Sequence, residues 1–502
     1  MLCQSEMKPL TVVIPYRPGP FLEKTLILLR KSGLIEQVSI VSQWPADLRM
    51  DGCRILVAEP LPSQETLGLI LAGIQTKYLL LLLPGDHQII FQSETLEKML
   101  KVAESTQAGI VYSDFHDDED KHGKIFHPLN DYQLGSVRDD FDFGAMVLYS
   151  VPAAREALKN YGPIPGVEYA GLYDLRLKIS IDHPVYHLRK PLYSVVRPTT
   201  DAGEPSGGEK MFDYVHPRNE AIQKEMETVF TDYLKNIGAY LPPQSLREVE
   251  PTPDSFPVEA SVVIPVRNRK GTIADAVKSA LSQATDFSFN VIIVDNHSTD
   301  GTTAVLSDLS KRYPAVKHLV PERSDLGIGG CWNEALQHKP CGRFAVQLDS
   351  DDLYSSPQAL QKMVDRIRQG SYAMVIGSYT LVDSRLEEIS PGLIDHREWT
   401  DENGHNNALR INGLGAPRAF NAGLMRKIGF LNVSYGEDYA AALRICREYR
   451  IGRIYENLYL CRRWSGNTDA ALTLEAANRN DAFKDKVRTA EILARQKMNQ
   501  GR

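Results

Sequence analysis

The sequence predicts an α/β protein made of two Rossmann-like domains in tandem, each built on a mostly parallel sheet. Three observations carry that expectation. Leu10-Thr-Val-Val-Ile-Pro15 returns 250 positions later as Ala260-Ser-Val-Val-Ile-Pro265. Each run is followed by a helical pattern, FLEKTLILLRKSG in one case and GTIADAVKSALSQ in the other, and then by a second β-rich run. The later landmarks keep step as well: 91 positions separate Leu83 from Asp174, and 90 separate Leu348 from Asp438. A short apolar, β-branched run closed by proline reads as a buried parallel strand entering a loop. Strands alternating with helices give a sheet covered on both faces, with ligands at the C-terminal ends of its strands.

Taken in chain order, residues 8–200 form the first domain. Its strands are expected at Leu10–Pro15, Val38–Val41 and Tyr78–Leu83, the last opening into Pro84-Gly-Asp-His87. Residues 201–256 read as a connector: Thr200 to Lys210 is rich in Gly, Pro and charge, and Glu220 to Ile237 has helical composition. Leu241 to Pro257 holds five prolines. Such a proline-rich spacer is semi-rigid. The second domain, 257–465, repeats the pattern with Val291–Val294 and with Phe344–Leu348 opening into Asp349-Ser-Asp-Asp352. Residues 466–502 form a helical tail whose polar stretch, Leu472 to Lys497, is read as a packing helix or a fraying end.

At 502 residues the chain is too long for one core, and 43% hydrophobic with 24% charged residues is the composition of a folded globular protein. A net charge of −7 offers no global attraction to nucleic acid. The six cysteines lack metal-site or redox spacing. The longest strongly apolar run, Tyr78 to Leu83, is far short of the ~18 residues a membrane span needs, so the protein is assigned to the cytoplasm, with peripheral membrane association left open.

Four constellations can carry chemistry. Asp349-Ser350-Asp351-Asp352 clusters carboxylates at a strand end, where hard oxygen ligands suit Mg²⁺ or Mn²⁺ on a diphosphate; the same residues also suit the capping of a helix near Pro357. Asp295-Asn-His-Ser-Thr-Asp300-Gly301 ends an apolar strand either as a ligand-binding carboxylate or as a capped turn. Glycines 327, 329 and 330, followed by Asn333, allow a close backbone approach. Glu437 and Asp438 open a helical pattern, where the macrodipole favours an ionised carboxylate fit to act as a base. Beyond them, Cys461-Arg462-Arg463-Trp464 offers cations for a leaving diphosphate.

The order of these motifs resembles the family 2 glycosyltransferases of the GT-A fold, over about 200 residues. The resemblance implies two GT-A-like domains and a metal-dependent, inverting hexosyltransferase of polysaccharide biosynthesis. Its donor would be a nucleotide-diphosphate sugar, UDP-sugars favoured, and its acceptor a glycan or a lipid-linked sugar. Pro265, Val266 and Arg267 would line the nucleotide pocket with Asn333; Asp295 would bind the base, and Asp349 and Ser350 would sit by the ribose. Asp351, with Asp349, would hold Mn²⁺ or Mg²⁺. Asp438, beside Glu437, would deprotonate the acceptor, with Arg463 and Trp464 at the diphosphate. Trp399 is read equally as an acceptor platform or a core anchor. Where many members have a Tyr-Arg-x-His pattern this chain has Cys461-Arg-Arg-Trp464, which leaves His405 as a weak substitute for the missing histidine ligand. Leu460 stands in place of the glutamine of processive synthases.

The first copy reads as degenerate. Ser42-Gln43 replaces Asp295-Asn296, Pro84-Gly-Asp86-His87 replaces the carboxylate cluster, and Tyr173-Asp174 replaces Glu437-Asp438. Asp86, His87, Asp114 and His116 remain as an alternative, atypical site. A non-catalytic tandem scaffold that binds nucleotide sugars or glycans, and a bifunctional transferase with two active domains, are the competing readings.

Overall fold

The computed structural model describes residues 7–17, 21–44, 50–83, 87–119, 123–196, 219–250, 255–464, 467 and 472–501. Two compact units divide the chain: one takes Met1–Glu204, Ala221–Tyr240 and Leu472–Arg502, the other Pro205–Glu220 and Leu241–Ala471. The Gly- and Pro-rich stretch Thr200 to Lys210 falls outside the described residues, as do Pro84, Gly85 and Asp86.

The first unit contains strands β1 (Leu10–Pro15), β2 (Ile35–Ser42), β3 (Cys53–Val57), β4 (Tyr78–Leu82), β5 (Gln88–Phe91), β6 (Ile110–Glu119), β7 (Gly123–His127), β8 (Met146–Ser150) and β9 (Val185–Val196). They form one sheet in the order β3-β2-β1-β4-β8-β6-β9-β5, with β7 paired to β6. The second unit contains β10 (Ala260–Val266), β11 (Phe289–Asp295), β12 (Val316–Leu319), β13 (Phe344–Gln347), β14 (Leu353–Tyr354), β15 (Met374–Val382), β16 (Glu388–Ile394), β17 (Arg418–Asn421) and β18 (Ile451–Arg462). Its order is β12-β11-β10-β13-β17-β15-β18-β14, with β16 on β15. Adding nine to each strand number of the first sheet gives the second. The α/β class and the tandem repeat are therefore as the sequence predicts.

Both sheets are parallel through their first four strands and mixed beyond them, because β8 and β17 run antiparallel to both neighbours. The strands are near-continuous apolar runs because both faces are covered: Val262, Ile264, Val291, Ile293 and Val346 are fully buried in one cluster of the second unit. Each such side chain contributes about 1.5–3 kcal/mol. Both β1 and β10 end on a proline or just past one, which stops the ladder at the point where a ligand crevice opens.

The helical tail has a definite place. Helix Leu474–Gln500 starts on Thr473, whose hydroxyl accepts from the Ala476 N–H, and it belongs to the first unit. Its buried residues are Lys484, Asp485, Arg488, Glu491, Ile492 and Arg495. Charge pairing replaces apolar contact along this face: Arg488 meets Asp485 at 2.8 Å, Arg495 meets Glu491 at 3.0 Å, and Arg138 meets Asp481 at 3.2 Å. Ser136 donates to Asp485, and the Gly135 N–H donates to Thr489. A Cβ at Gly135 would lie 2.0 Å from the Asp485 carbonyl oxygen, so the loop and the helix backbone touch.

Candidate functional site

In the second unit the loops after β10 and β11 are zipped together at the C-terminal edge of the sheet. Asn268 N–H donates to Ser298, Thr299 N–H donates to the Asn268 side chain, and Lys270 N–H donates to Asp300. Asn268 and His297 both adopt left-handed backbone, φ 55° and 54°, a conformation in which Asn and His are enriched among non-glycine residues. Asp295 is fully buried beneath this pair of loops. Its carboxylate accepts from the Ser298 N–H at 3.0 Å and the Thr303 hydroxyl at 2.5 Å. Burial works to raise its pKa, but these hydrogen bonds outweigh it and hold the group below its ordinary value. These bonds are those of a capped turn, and Asp295 shapes the loop that faces the crevice. Pro265 is partly exposed, Val266 is buried and Arg267 is exposed at the mouth.

The carboxylates at the end of β13 form the centre. The Asp349 N–H donates to the Tyr459 hydroxyl, and the carboxylate of Asp349 accepts from Gln347 at 3.0 Å. Gln347 accepts in turn from Arg418 at 3.2 Å, and the other arm of Arg418 lies 2.6 Å from Asp438. One continuous polar chain thus runs from Asp349 through Gln347 and Arg418 to Asp438. Arg418 occupies this place because β17 is inserted beside β13 and begins on it. Ser350 is buried, its carbonyl accepting from Thr272. Asp351 accepts from the Trp464 indole at 3.0 Å and from Asn467 at 3.3 Å, with Arg269 at 3.6 Å. Asp352 accepts from the Arg462 N–H at 2.7 Å.

Burial pushes the Asp349 carboxyl above its ordinary range; hydrogen bonds from Gln347 offset part of this and Asp351 adds to it. Asp352 is pushed well above it, by burial first and then by Asp349 and Asp351. Glu437, buried at the start of helix Glu437–Cys446, rises to about 8 through burial and the neighbouring Asp438. One of its oxygens is buried with no hydrogen bond among the described residues. Burial first and the crowding of carboxylates second raise these acids, and a hard divalent cation would suit such a set of oxygen donors. Among the described residues no three His, Cys, Asp or Glu side chains gather into a ready-made cage. Mg²⁺ or Mn²⁺ takes one or two carboxylates and completes its shell with water and substrate phosphates.

Three expected site residues have other roles. Asn333 clamps Phe430, donating to its carbonyl and accepting from its N–H, both at 2.9 Å, so its amide is spent on backbone. His405 is buried with Nε2 2.7 Å from the Leu241 carbonyl oxygen and 3.1 Å from the Asn406 amide nitrogen. Trp399 is the core anchor of its two readings: it is 6% exposed, packed under Gly404 and faced by the Arg453 guanidinium. Trp464 and Asn467 cover Asp351, while the Arg463 N–H extends the sheet by donating to Val382.

The glycines before Asn333 pack against the segment that leads to Glu437. A Cβ at Gly327 would meet the Val433 backbone at 2.4 Å, and one at Gly329 would meet the Leu431 carbonyl oxygen at 1.9 Å and the Glu437 Cβ at 2.9 Å. These glycines seat the segment that delivers Glu437 and Asp438. Gly329→Ala is expected to cost about 1–3 kcal/mol through overpacking, read as a lower melting temperature of the whole protein.

The sequence missed Arg418, Gln347 and Arg269. Arg418 closes an irregular segment with no periodicity, and only the antiparallel pairing of β17 with β13 reveals its neighbours.

Residues 261–428 match the family model described as glycosyl transferase family 2. The second unit holds a family 2 glycosyltransferase domain. The match takes in about a third of the chain and stops short of Glu437 and Asp438. The putative glycosyltransferase EpsE of Bacillus subtilis is 28% identical over 124 residues, 25% of this chain and 44% of that protein. TuaG of the same organism, a putative teichuronic acid biosynthesis glycosyltransferase, is 33% identical over 122 residues, 24% of this chain and 47% of that protein. The chain spans less than half the length of these relatives. Among solved structures, Staphylococcus aureus TarS 1–349 in complex with UDP-GlcNAc is 21% identical, with 47% of this chain and 72% of that chain covered and a TM-score of 0.36.

Against the glycosyltransferase domain the first unit can be compared position by position. The ladders align Ser42 with Asp295, as expected, but they correct the alignment of the carboxylate cluster. Tyr78 to Leu82 match Phe344 to Leu348, so Leu83, not Pro84, stands at the position of Asp349. Extending the antiparallel ladders one position sets Gln347 and Arg418 against Leu81 and Val147. Three of the four members of the polar chain, Asp349, Gln347 and Arg418, therefore have apolar counterparts in the first unit, Leu83, Leu81 and Val147. Asp174 is buried and bound to Lys178 at 2.7 Å; burial raises its pKa to about 6, with Lys178 opposing. Asp114, proposed for an atypical site, is tied to His187 and to the Leu129 N–H, and His116 packs on Phe126.

Proposed function

We propose that the second unit transfers a sugar from a nucleotide-diphosphate sugar, uridine donors favoured, to a hydroxyl of a glycan or lipid-linked acceptor with inversion at the anomeric carbon. The observation that carries this reading is the chain Asp349, Gln347, Arg418, Asp438 at the C-terminal edge of the sheet, its first three members within the residues that match the family 2 model. Pro265, Arg267 and the turn held by Asp295 line the nucleotide side. Asp351 and Asp349 would hold Mn²⁺ or Mg²⁺, which when bound neutralises charge on the diphosphate. Asp438 takes the acceptor proton as the new bond from oxygen to the anomeric carbon forms. The bond to the diphosphate breaks on the opposite side, and its electron pair leaves with the nucleoside diphosphate. Arg418, 2.6 Å from Asp438, supplies a counter-charge beside it amid Asp349 and Glu437.

A thermal-shift panel of nucleotide sugars with Mn²⁺, followed by product analysis on the donor that binds, tests this reading. A donor present at 100 times its dissociation constant adds ~2.7 kcal/mol to stability. No shift with any nucleotide sugar, in the presence or absence of metal, would overturn it. The first unit is proposed to lack transferase activity, so Asp86→Ala is expected to leave turnover within about twofold of the parent. No helix among the described residues is long and apolar enough to cross a membrane. Action at the cytoplasmic face on glycan precursors is part of the proposal.

A further inference from the structure

Helix Ser93–Thr106 and the first half of β9 wall a cavity of about 780 Å³ in the first unit. That volume lies in the range of small-molecule sites, roughly 300–1,000 Å³. Lys98 and Lys101 line it from the helix, Arg189 and Lys190 from the strand. Asp131 is the one carboxylate on its wall among the described residues, and it is already matched: His187 Nδ1 lies 2.9 Å away and Arg189 Nε donates to it at 3.0 Å. The ammonium groups of Lys98, Lys101 and Lys190 have no hydrogen bond or ion pair among the described residues.

The equivalent helix and strand of the second unit, Ala359–Gln369 and β18, also carry cations, but these are spent internally. Lys362 meets Glu456 at 2.5 Å, Arg368 meets Glu259 at 2.9 Å, and Arg366 sits over the Tyr372 ring. Three unmatched ammonium groups around one concavity, in a chain of net charge −7, therefore set this copy apart. Like charges gathered at close quarters repel unless an anion is shared among them, and a cleft lined by one sign of charge concentrates the opposite ion. The wall also offers an aromatic ring, Tyr186, which is 40% exposed. Rings beside cations suit a ligand with apolar sugar faces and negative substituents.

We propose that this cavity binds an anionic saccharide, a glycan bearing carboxylate or phosphate groups, with Lys98, Lys101 and Lys190 at its charges and Tyr186 against a sugar face. The ligand is the acceptor glycan of the transferase, so the assignment rests on the reading of the second unit given above. The unit that lost the carboxylates of the donor site has thereby gained a role in holding the chain to be extended.

The test uses the full-length protein and titration calorimetry with three probes of equal length: an oligogalacturonate, an oligomer of glycerol phosphate, and a neutral cello-oligosaccharide. At least one anionic oligomer is expected to bind about tenfold or more tighter than the neutral one, and to weaken as salt rises from about 20 to 150 mM. The arm that binds tells whether carboxylate or phosphate is recognised. Lys101→Glu with Lys190→Glu should remove that preference at unchanged melting temperature, while Lys362→Glu on the second unit should not. Equal binding of neutral and anionic probes, or full anionic binding by the double variant, would overturn the assignment. UDP binding with Mn²⁺, measured on the same preparation, separates the two readings. Acidic-glycan binding without nucleotide binding supports the cavity and refutes the transferase, and the reverse refutes the cavity alone.

Discussion

Asp438→Asn is expected to lower transfer by ~10²- to 10⁴-fold, the usual contribution of a general base, equivalent to about 2.7–5.4 kcal/mol of barrier. The substitution keeps the shape of the side chain at the start of helix Glu437–Cys446 and removes only its charge. The ion pair with Arg418 is lost, but both partners are part-exposed, 14% and 30%, and such a pair is worth about 0–1 kcal/mol. Donor affinity and melting temperature should therefore stay close to the parent while turnover collapses. Transfer to an identified acceptor, donor affinity and melting measured on one preparation decide the matter. Unchanged transfer removes Asp438 from the mechanism.

Asp351→Ala is expected to abolish Mn²⁺- or Mg²⁺-dependent donor binding and to leave the fold intact. The side chain sits at the crevice, touched by Trp464, Asn467 and Arg269, and no core residue depends on it. Removing it takes away a carboxylate that would neutralise diphosphate charge through the metal. Calorimetric titration of the donor with metal, and again with chelator, should show a large difference for the parent and almost none for the variant. A variant that binds donor as tightly as the parent, with the same response to chelation, would place the metal elsewhere.

Much of the fold was legible because its signal is repeated. The β-branched runs closed by Pro15 and Pro265 mark buried parallel strands, and the two sheets follow them strand for strand. Motif order singled out the carboxylates of Asp349, Asp351 and Asp438. It could not say what touched them, because Arg418 and Gln347 become neighbours only when β17 is inserted beside β13. Local readings failed where a residue serves backbone: the amide of Asn333, the imidazole of His405 and the glycines before them pack or clamp the chain, and no spacing rule separates that from ligand binding. The tail was ambiguous for a different reason. Of the six residues it buries only Ile492 is apolar, so a hydrophobic periodicity had nothing to register.

That helix also sets a timetable for biosynthesis. Its acidic and basic side chains complete the first unit, whose earlier chain segments end at Tyr240, yet it is translated after the whole of the second unit. At the usual ~5–20 residues per second, the intervening stretch of more than 230 residues takes roughly 10–50 s to emerge. Throughout that interval Arg138 and the surface around Gly135 have no helix to meet, and the nascent first unit remains an incomplete body for chaperones to guard. A chain that lost this helix would keep its glycosyltransferase domain whole and leave the first unit incomplete.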